Sequence, residues 1–281
     1  MVRELARRTA RRSYALTKWR MLRRLARGQG VPVVVFCMSK TASTAVFRAV
    51  QGATTRPVLK IHVLAPEAVA RAEAHYRRTD PRALPRHVLH ASHLMRHMPT
   101  AERPWHVVTI VREPVMRSVS DFFQSARRLG RLGDESTTRA ALERFVDQEG
   151  IERTAEWFDR ELVPSLGVDV YDHPFDPSVG YGIVETPAVK MLVLRQESLD
   201  AAPAALGGFL GLPGDVEIVP ENVGAAKEYS ELYGSVLRDL RFSEATLDRA
   251  YRTRYARHFY SPMEIEDLRQ RWGTTATTPG S

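Results

Sequence analysis

Short apolar runs that alternate with helical stretches constrain the fold of this 281-residue chain more than any other feature. Runs rich in β-branched and other apolar residues predict strands at 31–36, 58–63, 87–90, 105–111 and 189–194. Near-continuous runs of this kind are typical of strands buried on both faces of a parallel sheet. Because helical segments lie between these runs, the sequence predicts an α/β fold with a central, mainly parallel sheet flanked by helices.

The rest of the chain is predicted to be mainly helical, including its C-terminal part. The helical segments are predicted at 42–51, 66–77, 115–128, 137–165, 199–210 and 229–272, the last interrupted near Ser261 and Pro262. A hydrophobic content of 43% suits one large globular domain, which we place at 29–272. A basic helical arm at 1–28 precedes this domain, and a Thr-, Gly- and Ser-rich tail at 273–281 is expected to be disordered.

The positive charge of the chain is concentrated in the arm at 1–28. That segment holds ten Lys and Arg residues against Glu4 alone, whereas the remainder holds 31 basic and 32 acidic residues. A basic helix of this kind is suited to rest on an anionic membrane or an acidic polymer, although a solvated helix packed loosely on the domain is an equal alternative. Since the body is nearly neutral, the composition does not favour specific nucleic-acid binding.

The cysteine content and the hydropathy indicate a compartment. Cys37 is the single cysteine, so no intrachain disulfide can form and a reducing environment is expected. We expect Cys37 itself to be a small buried hydrophobe, and the alternative is a reactive thiol at a helix N-terminus. No apolar run reaches the roughly 18 residues typical of a transmembrane helix, and no secretory signal is recognised. We therefore expect a cytoplasmic protein, with the arm as a candidate peripheral contact to the inner face of the membrane.

The loop after the first predicted strand combines hydroxyl groups, one ammonium group and the start of a helix. Its residues are Ser39, Lys40, Thr41, Ala42, Ser43 and Thr44. The first turn of a helix presents unpaired N–H groups and the positive end of the helix dipole, which together favour an anion such as phosphate. The alternative is that Ser and Thr merely cap the helix. The loop lacks the glycines of a Walker A motif.

A second polar segment follows the strand predicted at 105–111. Arg112 ends that strand, Pro114 is suited to open the next helix, and Ser120 lies about two turns into it. Ligands bind at the carboxyl edge of parallel sheets, and the arginine fork matches phosphate oxygens. Arg112 and Ser120 are therefore predicted to hold a second anionic group. Arg117 is either a further phosphate ligand or a surface arginine.

The two segments together resemble the 5′-phosphosulfate and 3′-phosphate motifs of the PAPS-dependent sulfotransferases, where PAPS is 3′-phosphoadenosine-5′-phosphosulfate. The sequence Lys40-Thr41-Ala42-Ser43-Thr44 is most similar to the heparan sulfate 2-O-sulfotransferase type and its bacterial capsular polysaccharide relatives. The cytosolic type instead has Ser-Gly-Thr after its basic residue. The resemblance implies a P-loop-NTPase-like sulfotransferase fold, transfer of a sulfuryl group from PAPS to a hydroxyl, release of PAP, and no metal. It also implies a glycan acceptor, with a lipid-linked sugar or a small, glycosylated secondary metabolite as the alternative.

The resemblance extends to a later part of the chain. The segment 220–224 resembles the loop that closes over the nucleotide, with Asn222 as a nucleotide ligand or a helix cap. The segment 227–230 is similar to the Lys-Trp-Tyr-Ser signature of the capsular type, except that Glu228 stands in place of Trp.

Histidines near predicted strand ends are the candidates for the base that accepts the hydroxyl proton. His90 is the last residue of the strand predicted at 87–90 and His93 follows it, at the place where the 2-O-sulfotransferase type has His-Gly-His. That alignment favours His93 as the base and leaves His90 as an alternative. His62, in a His-Val pair that also resembles this type, is expected to position the acceptor.

Two other classes of function compete with a sulfotransferase. The first is a nucleotide kinase on a P-loop-like fold, which the missing glycines and the absence of an Asp at the end of 105–111 do not favour. The second is a basic protein that binds an anionic polymer or membrane without catalysis.

Overall fold

The computed structural model describes residues 31–79, 84–97, 104–219 and 229–274. The basic arm at 1–28, Asn222 and residues 275–281 of the predicted tail lie outside these ranges. No helix within them is both long and apolar enough to cross a lipid bilayer.

A five-stranded sheet forms the centre of the structure. Its strands are β1 (Val33–Phe36), β2 (Val58–Ile61), β3 (Trp105–Val111), β4 (Tyr181–Glu185) and β5 (Val189–Arg195). Their spatial order is β2-β1-β3-β5-β4, and all neighbours are parallel except β4 and β5, which are antiparallel. The prediction of an α/β fold with a mainly parallel sheet is confirmed.

Helices flank this sheet and make up the C-terminal part of the chain. They are α1 (Ser43–Ala53), α2 (Pro66–Thr79), α3 (Arg86–His97), α4 (Pro114–Arg128), α5 (Glu135–Phe145), α6 (Ile151–Ala155), α7 (Trp157–Leu166), α8 (Ala202–Leu210), α9 (Ser230–Asp239), α10 (Glu244–Tyr251), α11 (Arg254–Phe259) and α12 (Pro262–Trp272). A π-helical turn at Val146–Gly150 joins α5 to α6. The predicted interruption near Pro262 is confirmed, because Ser261 forms a capping box with Glu264 and starts α12.

Three groups of buried side chains form the core. One face of the sheet packs against α3, α7 and α11, with Leu94, Phe158 and Phe259 among the contacts. The other face packs against α1 and α8. The third group contains no strand residue and joins α4 to α9, α10 and α12 through side chains such as Phe123 and Leu247. Helix α4 therefore leaves the sheet and is held by the C-terminal helices.

The strand predicted at 87–90 is wrong, because these residues lie in α3. Val88, Ala91 and Leu94 are fully buried at helical spacing beneath the sheet, and the four-residue apolar run showed only part of that pattern. Strand β4 was not predicted. It lies at the edge of the sheet and has only Val184 buried, so it lacks a continuous apolar run.

Two adjacent glycines in α8 offer a matched test of how closely this helix packs against the loop at Gly214. A β-carbon at Gly207 would collide with the carbonyl oxygen of Gly214, whereas a β-carbon at Gly208 would meet nothing within 4 Å. We expect Gly207→Ala to lower the free energy of unfolding by about 1–3 kcal/mol. We expect Gly208→Ala to raise it by about 0.5–1 kcal/mol through helix propensity. Urea unfolding measures both changes in the free energy of unfolding. Equal effects of the two substitutions would contradict the close approach of the loop at Gly214 to α8.

Candidate functional site

A cavity of about 980 Å³ opens at the carboxyl edge of the sheet. It is lined by the loop after β1 and the first turn of α1, and by residues at the ends of β2, β3 and β5. One stripe of α4 lines it as well, with Ser120 and Gln124 a single helical turn apart. This is the edge at which parallel α/β sheets bind ligands.

The loop after β1 has an unusual backbone. Lys40 and Ala42 have φ angles of 72° and 57°, in the left-handed region that costs free energy for residues other than glycine. The hydroxyl of buried Thr41 donates to the carbonyl of Met38 at 2.9 Å and closes the turn. Turns of this kind bring backbone N–H groups together into a concave anion site.

Helix α1 begins at this loop without a side-chain cap. Its N-cap residue is Ala42, which forms no capping hydrogen bond, and its first turn contains no acidic residue. Ser43, Thr44 and Ala45 of that turn line the cavity. The positive end of the α1 dipole therefore faces the cavity, as an anion-binding site requires. Capping by Ser or Thr, the alternative drawn from the sequence, is not the arrangement at this N-terminus.

A buried arginine holds the loop from behind. Arg117 donates from Nε to the carbonyl of Ser39 at 3.3 Å and from Nη2 to its hydroxyl at 3.2 Å. The same guanidinium pairs with Asp121 at 3.2 Å. Arg117 is therefore not a surface residue, and in these contacts it supports the loop backbone.

The cavity is strongly cationic. Lys40 Nζ reaches across it to Gln124 Oε1 at 2.6 Å, and Lys60 Nζ donates to the hydroxyl of Thr44 at 2.9 Å. Arg112 donates from Nη1 to the carbonyl of Lys40 at 2.9 Å, so the two predicted anion-binding segments are in direct contact. Arg127 and Arg128 complete the set of cations, and Asp200 is the one carboxylate among the described lining residues.

Lys60 and Gln124 were missed from the sequence. Lys60 lies within the apolar run of β2, and a charged residue in such a run two positions before His62 was the available signal. Gln124 had no such signal, because its place opposite Lys40 depends on how α4 packs.

The segment after β3 is fixed by a buried carboxylate. Glu113 accepts from the N–H groups of Val115 at 2.8 Å and Met116 at 2.6 Å, and from the hydroxyl of Tyr251 at 2.7 Å. Burial raises the pKa of Glu113, and these three hydrogen bonds oppose that rise. Pro114 opens α4 as predicted. Arg112 and Ser120 both line the cavity, so the structure brings together the two residues predicted to hold a second anion.

His62 lies in the cavity lining with a defined tautomer. Its Nδ1 is 2.7 Å from the carbonyl oxygen of Cys37, which can only accept, so Nδ1 carries the proton and Nε2 keeps its lone pair. Burial lowers the pKa of His62 to about 4; the hydrogen bond to Cys37 opposes this, and the charges of His87 and Lys60 add to it. His62 is therefore a neutral acceptor at pH 7.

His90 and His93 do not line the cavity. Both are buried in α3 rather than placed at a strand end, which corrects the arrangement from which His93 was favoured as the base. Nδ1 of His90 is 3.3 Å from the carbonyl oxygen of Lys60. Among the described histidines, His62 is the one that lines the cavity.

Two tyrosines contribute to the lining of the cavity. Tyr229, the third residue of the segment 227–230, and Tyr233 of α9 both line it. Phe123 stacks on Tyr229 with ring centroids 5.6 Å apart, and its own side chain is fully buried. Asn222 lies outside the described residues.

Cys37 is fully buried, as expected, and burial raises the pKa of its thiol to about 11. Within the described ranges, no group of three or more His, Cys, Asp or Glu side chains is arranged to hold a metal ion.

The comparisons with known proteins concern the second half of the chain. A family model, NKWYS, described as "Putative capsular polysaccharide synthesis protein", matches residues 134–261, a little under half of the sequence. The matched segment runs from the start of α5 to the residue before α12 and excludes both predicted anion-binding segments. No curated protein and no solved structure matches the chain significantly. The chain is thus similar over this segment to a family associated with capsular polysaccharide synthesis.

Proposed function

We propose that this protein is a sulfotransferase that moves a sulfuryl group from PAPS to a glycan hydroxyl. The observation that carries the proposal is the convergence of an uncapped helix N-terminus with Lys40, Lys60 and Arg112 in one cavity at the sheet edge. A nucleotide with anionic groups at both ends of its ribose matches two anion-binding segments that touch each other.

The proposed binding mode gives each segment one end of the nucleotide. The 5′-phosphosulfate lies against residues 39–44, where the N–H groups of α1, the hydroxyls and Lys40 receive its oxygens. The 3′-phosphate lies against Arg112 and Ser120. PAPS and its product PAP carry an anionic group at each of these two positions, so both segments have a ligand group to hold.

The transfer is a direct in-line displacement. The acceptor oxygen forms a bond to sulfur while the bond from sulfur to the bridging 5′-phosphate oxygen breaks, and PAP leaves with the bonding electron pair. Lys40, Lys60 and the α1 N–H groups neutralise the charge that develops on the leaving phosphate. The acceptor proton passes to Nε2 of a histidine.

We assign that histidine as His62 instead of His93. His62 lines the cavity, its Nδ1 proton is directed to Cys37, and Nε2 is the basic nitrogen. A pKa of about 4 keeps the His62 ring neutral at pH 7. A bound anionic sulfate beside the ring favours the imidazolium and strengthens the base when it is needed.

The glycan acceptor is supported by the family model, whose description names capsular polysaccharide synthesis. The matched segment contains α9 to α11, and Tyr229 and Tyr233 from its range line the cavity.

A thermal-shift comparison tests the nucleotide. PAP should raise the melting temperature without a divalent metal, and adenosine 5′-phosphosulfate should raise it much less because it cannot engage Arg112 and Ser120 through a 3′-phosphate. Equal shifts would contradict the 3′-phosphate assignment. A shift with ATP–Mg²⁺ but not with PAP would instead favour a kinase.

The Lys40→Ala variant tests where the sulfuryl group sits. We expect kcat to fall by roughly 10²–10³, the scale for losing one preorganised donor at developing charge. PAP affinity should fall less, since the α1 N–H groups remain. Lys190→Ala is the matched control, because Lys190 pairs with Glu185 at the other end of β5 and should leave kcat unchanged. Wild-type turnover in Lys40→Ala would place the reaction elsewhere.

The His62→Ala and His93→Ala pair tests the base. His62→Ala should lower kcat by roughly 10²–10⁴ while the PAP dissociation constant moves little, and His93→Ala should stay active if it folds. Because only the deprotonated ring accepts a proton, kcat/KM for PAPS should be lost as pH falls through about 4. An inactive His93→Ala that still binds PAP, beside an active His62→Ala, would restore the assignment made from the sequence.

A further inference from the structure

The backbone of Arg112 is held by a tyrosine from the C-terminal helices. The hydroxyl of Tyr255, 143 residues further along the chain, accepts from the Arg112 N–H at 2.9 Å. The same hydroxyl donates to the Arg112 carbonyl oxygen at 2.8 Å. The Tyr255 hydroxyl thus forms hydrogen bonds with both the backbone N–H and the backbone carbonyl of Arg112.

Arg112 needs such a partner because it lies between two regular elements. Strand pairing of β3 ends at Val111 opposite Arg195, and the first carbonyl of the α4 hydrogen-bond ladder is that of Glu113. The backbone of Arg112 therefore belongs to neither ladder, and buried backbone groups in native proteins are nearly always paired.

Tyr255 is itself rigidly placed. It is fully buried, and its ring packs against Phe158 with centroids 6.1 Å apart and against Phe259 at 5.2 Å. Burial raises the pKa of Tyr255 well above its usual value, so the hydroxyl keeps the proton that it donates. Its place is therefore set by the core and not by Arg112.

The consequence reaches both anion-binding segments. The Arg112 side chain donates to the Lys40 carbonyl. The position of the Arg112 backbone therefore determines how its guanidinium lies against the loop after β1. A small displacement of the Arg112 backbone would move a bidentate phosphate contact out of register.

We propose that Tyr255 is a positioning residue that sets Arg112 for recognition of the nucleotide 3′-phosphate, an inference that rests on the proposed function. It makes the C-terminal helical part, where the family model matches, a contributor to nucleotide selectivity.

The test is the Tyr255→Phe variant, which removes one oxygen and keeps the ring. Dissociation constants are measured for PAP and for adenosine 5′-phosphate, which lacks the 3′-phosphate. We expect PAP to bind roughly threefold to tenfold more weakly, as for loss of a hydrogen bond, and adenosine 5′-phosphate to bind as to wild type. The ratio of the two constants is the readout, since a general loss of stability would weaken both ligands.

Tyr171→Phe is the matched control. The ring of Tyr171 also packs against Phe158 and Phe259, with centroids 5.9 and 6.1 Å apart, and its hydroxyl donates to the carbonyl of Ala155 at 3.4 Å instead of to the Arg112 backbone. It should preserve the preference for PAP. An equal loss of preference in both variants, or no loss in Tyr255→Phe, would overturn the inference.

Hydrogen exchange on the wild-type protein provides a test that needs no variant. The Arg112 amide should be protected in the absence of nucleotide, and free exchange of that amide would also overturn the inference. If the wild type binds PAP and adenosine 5′-phosphate equally, the proposed function fails first, which is distinguishable from an unaltered preference in Tyr255→Phe.

Discussion

The buried carboxylate of Glu113 is the interaction on which the arrangement of the site depends. The carboxylate accepts from two N–H groups of α4 and from the hydroxyl of Tyr251. The backbone N–H of Glu113 donates to the carboxylate of Glu197, which also accepts from the hydroxyl of Tyr260. A buried acid is costly unless it is hydrogen-bonded. Here two of the bonds cap the N-terminus of α4, and those with Tyr251 and Glu197 join separate parts of the chain. The network fixes the direction in which α4 leaves the sheet, and α4 supplies one wall of the cavity.

The loop after β1 is held in a locally unfavourable conformation by contacts from other side chains. Its two left-handed residues and the uncapped N-terminus of α1 are local departures from what stabilises a chain. Arg117 and Thr41 hold the loop in place through contacts directed at the backbone. The N–H groups in the first turn of α1, which a side-chain cap would ordinarily bind, therefore face the cavity, where a ligand can accept hydrogen bonds from them.

The features predicted from the sequence are those encoded by local pattern. β3 has the predicted bounds, and Pro114 opens α4 as predicted, because an apolar run and a proline act within a few residues. The strand predicted at 87–90 failed because four apolar-rich positions do not distinguish a buried helix from a strand.

The features that were missed depend on tertiary packing. Gln124 meets Lys40 across 84 positions, and Tyr255 meets Arg112 across 143. Neither pair has a signature in one sequence. The same reason explains the histidines, since proximity of His90 and His93 to an apparent strand end did not place them at the cavity.

The predominance of one sign of charge in the cavity has a kinetic consequence. Five basic side chains line this concave space, and Asp200 is the one acidic side chain among the described lining residues. The basic residues are Lys40, Lys60, Arg112, Arg127 and Arg128. Walls of low dielectric focus the field of such a set outward through the opening. A multiply charged anion is then drawn in from beyond contact range, over the roughly 8 Å that physiological salt leaves unscreened. Under the proposed function, capture of the nucleotide is accelerated before any of the specific hydrogen bonds has formed, and added salt slows capture more than it alters the transfer that follows.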